Sequence, residues 1–466
     1  LVSYVPLDNL WQHLFLAKLC RRRILHTQES RTYTHRSLPA VARCLTRCKA
    51  TALCQRLQQA ASCSAHVAFA NYCASAMRLL PKPQNTSSWM RSALARTSLL
   101  SLARSMATAP RRRVAAMEVN LAMNLDDAKR YGLEGGFQHS GSSCGRHVEK
   151  LYVEGRLQGS LERAATALFD GTIKHALVVS GFYVLHDQLE GATGSCETDG
   201  PPGALAVVRA LCARGVQTSL YCDAHNGPVL RAGFDAMVAY YATTRPAVAD
   251  RLRSHCRCVD VPDGVDHLEA LKGALEKAWE AAGEVDALVA VERLSEPYRN
   301  IRGNDLAAHT EPVDVLWPHV DGSSCGDARR KAGIREDAVS VGIGDGGNEV
   351  GLGRVAQLDA VASLSPGEDF CALGVNGALR ACDHPLVATV SNWGGSALEA
   401  AAHALFPTAL DDLEEGVERA VLEAICAAGS VDGKYVERPL SVDGMAWEPV
   451  HREFYEMLWG LAKGES

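Results

Sequence analysis

The 466 residues carry a formal net charge of −6 and are 47% hydrophobic, the balance of an ordinary globular protein. That average conceals two unlike segments. Residues 1–117 hold 18 Lys and Arg against two acids, Asp8 and Glu29, whereas residues 118–466 hold the other 30 bases against 52 acids. An acidic body lacks the basic surface that drives counterion release, so no nucleic-acid partner is expected.

The first segment reads as a leader. From Ser30 to Met117, 88 positions pass without an acidic residue, which a folded domain does not do. Residues 90–113, MRSALARTSLLSLARSMATAPRRR, place Arg91, Arg96 and Arg104 among Ser, Ala, Leu and Thr and close on a triple Arg. This is the composition of an organelle transit peptide, and it predicts delivery to the mitochondrial matrix, or to a plastid where the host has one. The arginines interrupt any secretory apolar core, and the longest uncharged stretch, Leu57–Met77, is too polar to span a bilayer, so no membrane association is expected. The chain begins with Leu, which fits either a fragment or an over-extended reading frame; Met90 is one candidate start, with Met77, Met106 and Met117 as rivals. The expected division is a disordered basic leader over 1–117 and one α/β domain over 118–466. Six of the 16 cysteines lie in the leader and no CxxC occurs, which predicts free thiols in a reducing compartment.

In the body, strands and helices alternate. Strands are predicted at His175–Ser180, Val216–Cys222, Cys256–Val261, Asp286–Val291, Ala338–Ile343 and Leu386–Val390. Helical spacing is predicted at Leu157–Phe169, Gly203–Arg214, Val229–Tyr241, Leu268–Ala282, Gly395–Leu405, Leu413–Ala428 and Pro449–Leu461. Short apolar strands separated by helices of this length predict a doubly wound, mostly parallel sheet with helices on both faces. In such a sheet the ligand crevice lies beyond the carboxyl ends of the strands. Five loops with unusual chemistry fall there: 181–200, 223–227, 292–304, 344–349 and 391–396.

Four of these loops carry the candidate site. Glu197-Thr198-Asp199-Gly200-Pro201-Pro202-Gly203 precedes a helix whose first N–H groups would attract an anion, a plain N-cap being the equal alternative. Glu292 opens a segment in which Arg299 and Arg302 would bracket a carboxylate with planar donors. The run Gly342-Ile343-Gly344-Asp345-Gly346-Gly347-Asn348-Glu349 contains a formal GxGxxG, but Asp345 would sit where a pyrophosphate belongs. Asp345, Asn348 and Glu349 instead suit a substrate ammonium or a divalent cation, and no organic cofactor is expected. Ser391-Asn392-Trp393-Gly394-Gly395-Ser396 is a strand-to-helix turn of small residues that lets backbone approach a ligand, Asn392 and Gly394 in particular. Leu168-Phe169-Asp170-Gly171-Thr172 superficially echoes the first motif of haloacid-dehalogenase phosphatases without its second aspartate. His186 and Asp187 are further acid–base candidates.

Taken in order, ETDGPPGA at 197–204, ER…YRNIRGNDL over 292–306, GIGDGGNEVGLG at 342–353 and SNWGG at 391–395 resemble the C-terminal domain of the D-glutamate cyclase family. The resemblance covers roughly 120–462. It implies an amino-acid lyase that converts D-glutamate to 5-oxo-D-proline and water, and a mitochondrial setting in animals. The family also occurs with a further hydro-lyase-like domain ahead of this one, which 117 acid-poor residues are not expected to supply. On this reading Asp199, Glu292, Asp345 and Glu349 do the acid–base work. Glu197, Thr198, Arg299, Arg302, Asn348, Asn392 and Gly394 bind a small amino-acid substrate. The alternatives are a Mg-dependent hydrolase or phosphatase, or a non-catalytic module for acidic amino acids, on the same fold. The oligomeric state is left open.

Overall fold

The computed structural model describes residues 109–130, 132–133, 136–137, 148–185, 194–262, 266–279, 283–300, 302–358, 377–411, 413–434 and 440–465. The leader up to residue 108, together with His186 and Asp187, lies outside the described residues. Helix α1 occupies 109–122. Its Val114 and Met117 are fully buried, and Arg113 Nη1 donates to the Ala462 carbonyl at 2.9 Å. One turn on, buried Glu118 accepts Tyr152 Oη at 2.6 Å and the Gly159 and Leu161 N–H groups at 2.8 Å. The packed body therefore reaches back through 109–117, and the division expected after Met117 falls inside a helix. Arginine-rich composition marked this stretch as leader, but its apolar residues face the core.

Helix α2 (Ser160–Phe169) leads into β1 (His175–Gly181). A short antiparallel pair, β2 (Tyr183–Leu185) and β3 (Gly194–Cys196), follows. Helix α3 (Pro201–Ala213), β4 (Gln217–Cys222), α4 (Gly227–Thr244) and β5 (Cys256–Asp260) form the next units. Then come α5 (His267–Ala278), β6 (Val285–Arg293), β7 (Ile334–Gly344) and β8 (His384–Val387). Helices α6 (Ser391–Leu405) and α7 (Glu415–Ala427), the hairpin β9 (Ser441–Val442) and β10 (Met445–Ala446), and α8 (Arg452–Lys463) complete the body.

The main sheet runs β5-β4-β1-β6-β7-β8 and every pairing in it is parallel. Alternation along β1 explains why helices cover both faces. Ala176 and Val178 pack into the core beneath α3 and α6, while Leu177 and Val179 pack with Leu271 of α5 and Trp317 on the other side. Strands buried on both faces read as continuous apolar runs, which is how they were legible in the sequence. From β1 the chain winds outward to β4 and β5, then returns to lay β6, β7 and β8 on the opposite flank. The strand order therefore reverses between β1 and β6, a switch point at which a crevice opens.

Three elements differ from expectation. The last strand ends at Val387, because the Thr389 N–H turns away to the Leu121 carbonyl of α1 at 2.8 Å. A helix over Pro246–His255 had no counterpart in the predicted pattern. Ser391–Ser396 is not a loop: SNWGG is itself the start of α6.

A buried ion triad ties three helices together beneath the crevice. Arg209 of α3 donates through Nε to Glu399 of α6 and through Nη2 to Glu418 of α7, each at 2.6 Å. Two carboxylates share one cation here, and burial pushes Glu399 up to about 8.

Among the described residues no helix is long and apolar enough to cross a membrane.

Candidate active site

Buried carboxylates gather at the carboxyl ends of β1, β6 and β7. Glu197, Asp199, Glu292, Asp345, Glu349 and Asp443 are all buried. Single oxygens of Asp199, Asp345 and Asp443 lie within 4.8 Å of one another, and so do those of Glu292, Asp345 and Glu349. Asp345 belongs to both triplets and is the centre of the site.

Each acid is held by a different device. Asp199 sits just before α3, yet it caps α6: its Oδ2 accepts the Ser391 N–H at 2.9 Å and its Oδ1 the Asn392 N–H at 2.8 Å. Asn392 returns the favour to α3, its Oδ1 accepting Gly200 N–H at 2.9 Å and Gly203 N–H at 3.0 Å while its Nδ2 donates to the Thr198 carbonyl. The exchange demands close approach. A Cβ on Gly395 would stand 2.2 Å from the Gly203 carbonyl oxygen, so the two helices cross where neither has a side chain. The helix-start N–H groups expected to greet a ligand at Gly200, Gly203, Ser391 and Asn392 are thus taken by protein side chains.

Glu349 turns back on its own loop and accepts Gly346 N–H at 2.8 Å and Gly347 N–H at 2.6 Å. A Cβ on Gly344 would meet the Glu349 carboxylate at 2.6 Å, which is why that loop is glycine-rich. The glycines fold the loop around its own acid rather than around a dinucleotide.

Glu292 differs from its neighbours. It has φ of 44°, a left-handed conformation that strains a residue with a side chain, at the carboxyl end of β6. Ser391 Oγ donates to its Oε2 at 2.5 Å. Burial, and then the carboxylates of Glu349, Asp199 and Glu197, push its pKa well above the usual carboxylate range. A carboxyl with a raised pKa beside carboxylates that accept backbone N–H groups is the kind of contrast that separates proton donor from proton acceptor.

The remaining candidates are placed as follows. Thr198 is buried and donates through Oγ1 to the Ser441 carbonyl at 2.9 Å, fastening the β9–β10 hairpin. Asn348 Nδ2 donates to the Arg299 carbonyl at 3.1 Å. Arg299 and Arg302 are exposed, so this segment reaches the floor through a main-chain carbonyl rather than a guanidinium. Gly394 packs against Ile343 of β7, where a Cβ would come within 2.5 Å of Cγ2. Asp170 lies exposed before β1, at the amino edge of the sheet, whereas Asp345 follows the carboxyl end of β7. The phosphatase-like stretch at 168–172 therefore lies away from the acid cluster.

Two features escaped the sequence. Asp443 enters from the β9–β10 turn, where Asp443 and Gly444 have φ of 55° and 76°. Asp-Gly between two apolar residues is a hairpin signal that pointed to this turn, though not to where it docks. Buried Asp432 fixes the turn by accepting Gly444 N–H at 2.8 Å and Ser441 Oγ at 2.5 Å. The second feature is Arg293, fully buried beside Glu292 and paired with Asp223 at 2.6 Å. Its neutralised charge contributes to the wall of the site, not to its floor.

A parallel doubly wound sheet with two overlapping triplets of buried acids near its switch point defines an α/β domain of the doubly wound class. The D-glutamate cyclase-like, C-terminal family matches residues 140–459, and the chain belongs to that family. A curated relative, the human protein named mitochondrial D-glutamate cyclase, is 30% identical over 220 residues, 46% of this chain and 31% of the human protein. The match thus spans about a third of that relative's length.

Proposed function

We propose that the chain is a D-glutamate cyclase-like lyase that closes D-glutamate to 5-oxo-D-proline with loss of water. Family membership supports the substrate class, and the observation that carries the chemistry is Glu292, a buried carboxyl whose pKa is raised by burial and by neighbouring carboxylates that hold backbone N–H groups. Cyclisation forms a bond from the amine nitrogen to the distal carboxyl carbon and breaks one carbon–oxygen bond there. Two protons must pass from the ammonium to the departing oxygen. Asp345, at the junction of both triplets, receives the ammonium and takes its two protons one at a time, Glu292 delivers each to the leaving oxygen, and proton return from Asp345 recharges Glu292 after each transfer. Holding both reacting ends in one crevice supplies on the order of 7–11 kcal/mol when the geometry is ideal. The two carboxylate triplets are also a donor set that a hard divalent cation takes, so the reading admits a metal beside the substrate. The basic leader supports delivery to mitochondria.

The test uses the full chain, incubated with D-glutamate or L-glutamate, with and without EDTA, and follows 5-oxoproline by chiral chromatography. Formation of the D-product supports the reading. Binding of D-glutamate without product in either buffer would replace it with a binding module.

A further inference from the structure

Three polar rings meet at the carboxyl edge of the sheet, each brought by a different loop. Tyr183 comes from the hairpin after β1, His225 from the turn after β4, and His309 from the 3-10 turn Ala307–His309 after β6. Tyr183 and His309 stack at 4.5 Å and 15°, and His225 stands edge-on to them at 5.5 and 5.3 Å. Among the described residues, the hydroxyl and both imidazoles make ring contacts but no hydrogen bonds, and His309 Nδ1 is closed off from solvent without a partner. A buried N–H left bare is rarer than a bare acceptor, so the His309 proton belongs on Nε2, directed outward. Burial, with His225 beside it, holds His309 below the ordinary imidazole range, in keeping with a neutral N–H donor.

Hydrogen bonds tie the segments that carry these rings to those that carry the acids. The His225 N–H donates to Asp223 Oδ1 at 3.0 Å, and Asp223 pairs with Arg293, the residue after Glu292. The carbonyl of Phe182, next to Tyr183, accepts the Glu197 N–H at 2.9 Å. Asp223 pairs with Arg293, and the Glu311 carboxylate faces His267 Nδ1 at 3.2 Å. Unclaimed donors beside a floor of carboxylates give the crevice two ends of opposite preference.

We propose that Tyr183, His225 and His309 hold the α-carboxylate of the amino-acid substrate while the floor holds its ammonium. This rests on the cyclase reading. Ring closure draws the amine and the distal carboxyl together over Asp345 and Glu292, which leaves the α-carboxylate as the group directed away from the floor. Imidazole and phenol donors at the rim receive it, and the opposed ends fix which way round the α-carbon sits. The rim is thereby a determinant of handedness as well as of affinity.

The experiment follows the histidine ring resonances of the full chain by NMR, with His225→Gln and His309→Gln assigning the signals. The titrants are D-glutamate, glutarate and 4-aminobutyrate, which lacks the α-carboxylate. D-glutamate is expected to move both rings, and each variant to weaken it by about tenfold while 4-aminobutyrate changes by less than about twofold. In turnover the variants raise KM and leave kcat nearly unchanged. Rings unmoved by saturating D-glutamate, or equal weakening of both amines, overturn the assignment. Shifts that require added Zn2+ and vanish with EDTA make the pair a metal site and overturn it too. Ring shifts by D-glutamate or glutarate without 5-oxoproline keep the rim and remove the cyclase reading; product with unmoved rings does the reverse.

Discussion

Asp199 and Asn392 cap each other's helices. Asp199, before α3, accepts the first N–H groups of α6, and Asn392, in the first turn of α6, accepts those of α3. The exchange locks together two helices that follow strands lying apart, β3 of the short antiparallel pair and β8 at the edge of the main sheet, and it fixes one wall of the acid floor. Because each residue satisfies the other's helix, removing either leaves buried N–H groups unpaired. Asn392→Ala and Asp199→Ala should each cost about 2–3 kcal/mol in guanidinium unfolding. The double variant should cost clearly less than the sum, since both changes dismantle one unit. Additive losses would show that the caps are independent.

Glu292→Gln separates stability from chemistry. A buried carboxyl with a raised pKa favours the folded chain at low pH and progressively disfavours it as pH climbs above the ordinary carboxylate range. The amide cannot ionise, so the variant should melt higher than the parent at pH 8 and nearly level with it at pH 4. Turnover should fall by about a hundredfold or more if Glu292 donates the proton. A variant that melts lower at pH 8 would contradict the raised pKa.

His451 makes the C-terminal hairpin sensitive to acid. Its Nδ1 accepts Trp393 Nε1 at 3.0 Å and its Nε2 faces the Met445 carbonyl at 3.1 Å, a pattern that suits one neutral tautomer. Burial lowers its pKa to about 4. A base depressed in this way binds its proton more readily when unfolded. Stability is therefore intact above about pH 6.5 and falls as pH drops towards 4, by about 3 kcal/mol for the full shift. His451→Gln should flatten that limb of the unfolding free energy between pH 6.5 and 4; an unchanged slope would assign it to other groups.

The start of the packed body can be tested by truncation. A chain beginning at residue 109 keeps Val114 and Met117 in the core, and one beginning at 118 loses both. Each large buried side chain removed costs about 2–5 kcal/mol, so the shorter chain should melt far lower or fail to fold. Equal melting of the two would place the boundary after Met117.

Asp345→Asn tests the centre of the floor. Removing a carboxylate from two buried acidic triplets relieves repulsion, so the melting midpoint should hold or rise while turnover falls by about a hundredfold or more. Full activity in this variant would move the proton acceptor elsewhere.

The amino-acid sequence by itself determined the strands, most of the helices between them, and the strand-end segments in which Asp199, Glu292, Asp345, Glu349 and Asn392 lie. These follow from local periodicity, since a strand buried on both faces must be apolar throughout and its polar residues collect where it ends. What only the tertiary structure decided is the role of each residue within those segments. Local pattern treated the helix starts at Gly200 and Ser391 as open to a ligand, and the fold closes them with Asn392 and Asp199, partners some 190 positions away. Spacing made Arg299 and Arg302 a clamp, whereas the chain leaves both exposed and buries Arg293 against Asp223. Asp443 joins Asp199 and Asp345 from a distant turn, the rings of Tyr183, His225 and His309 meet from three separate segments, and burial first and the packed carboxylates second raise the pKa of Glu292. Proximity and desolvation set charge and hydrogen bonding, and neither is a property of neighbours along the chain.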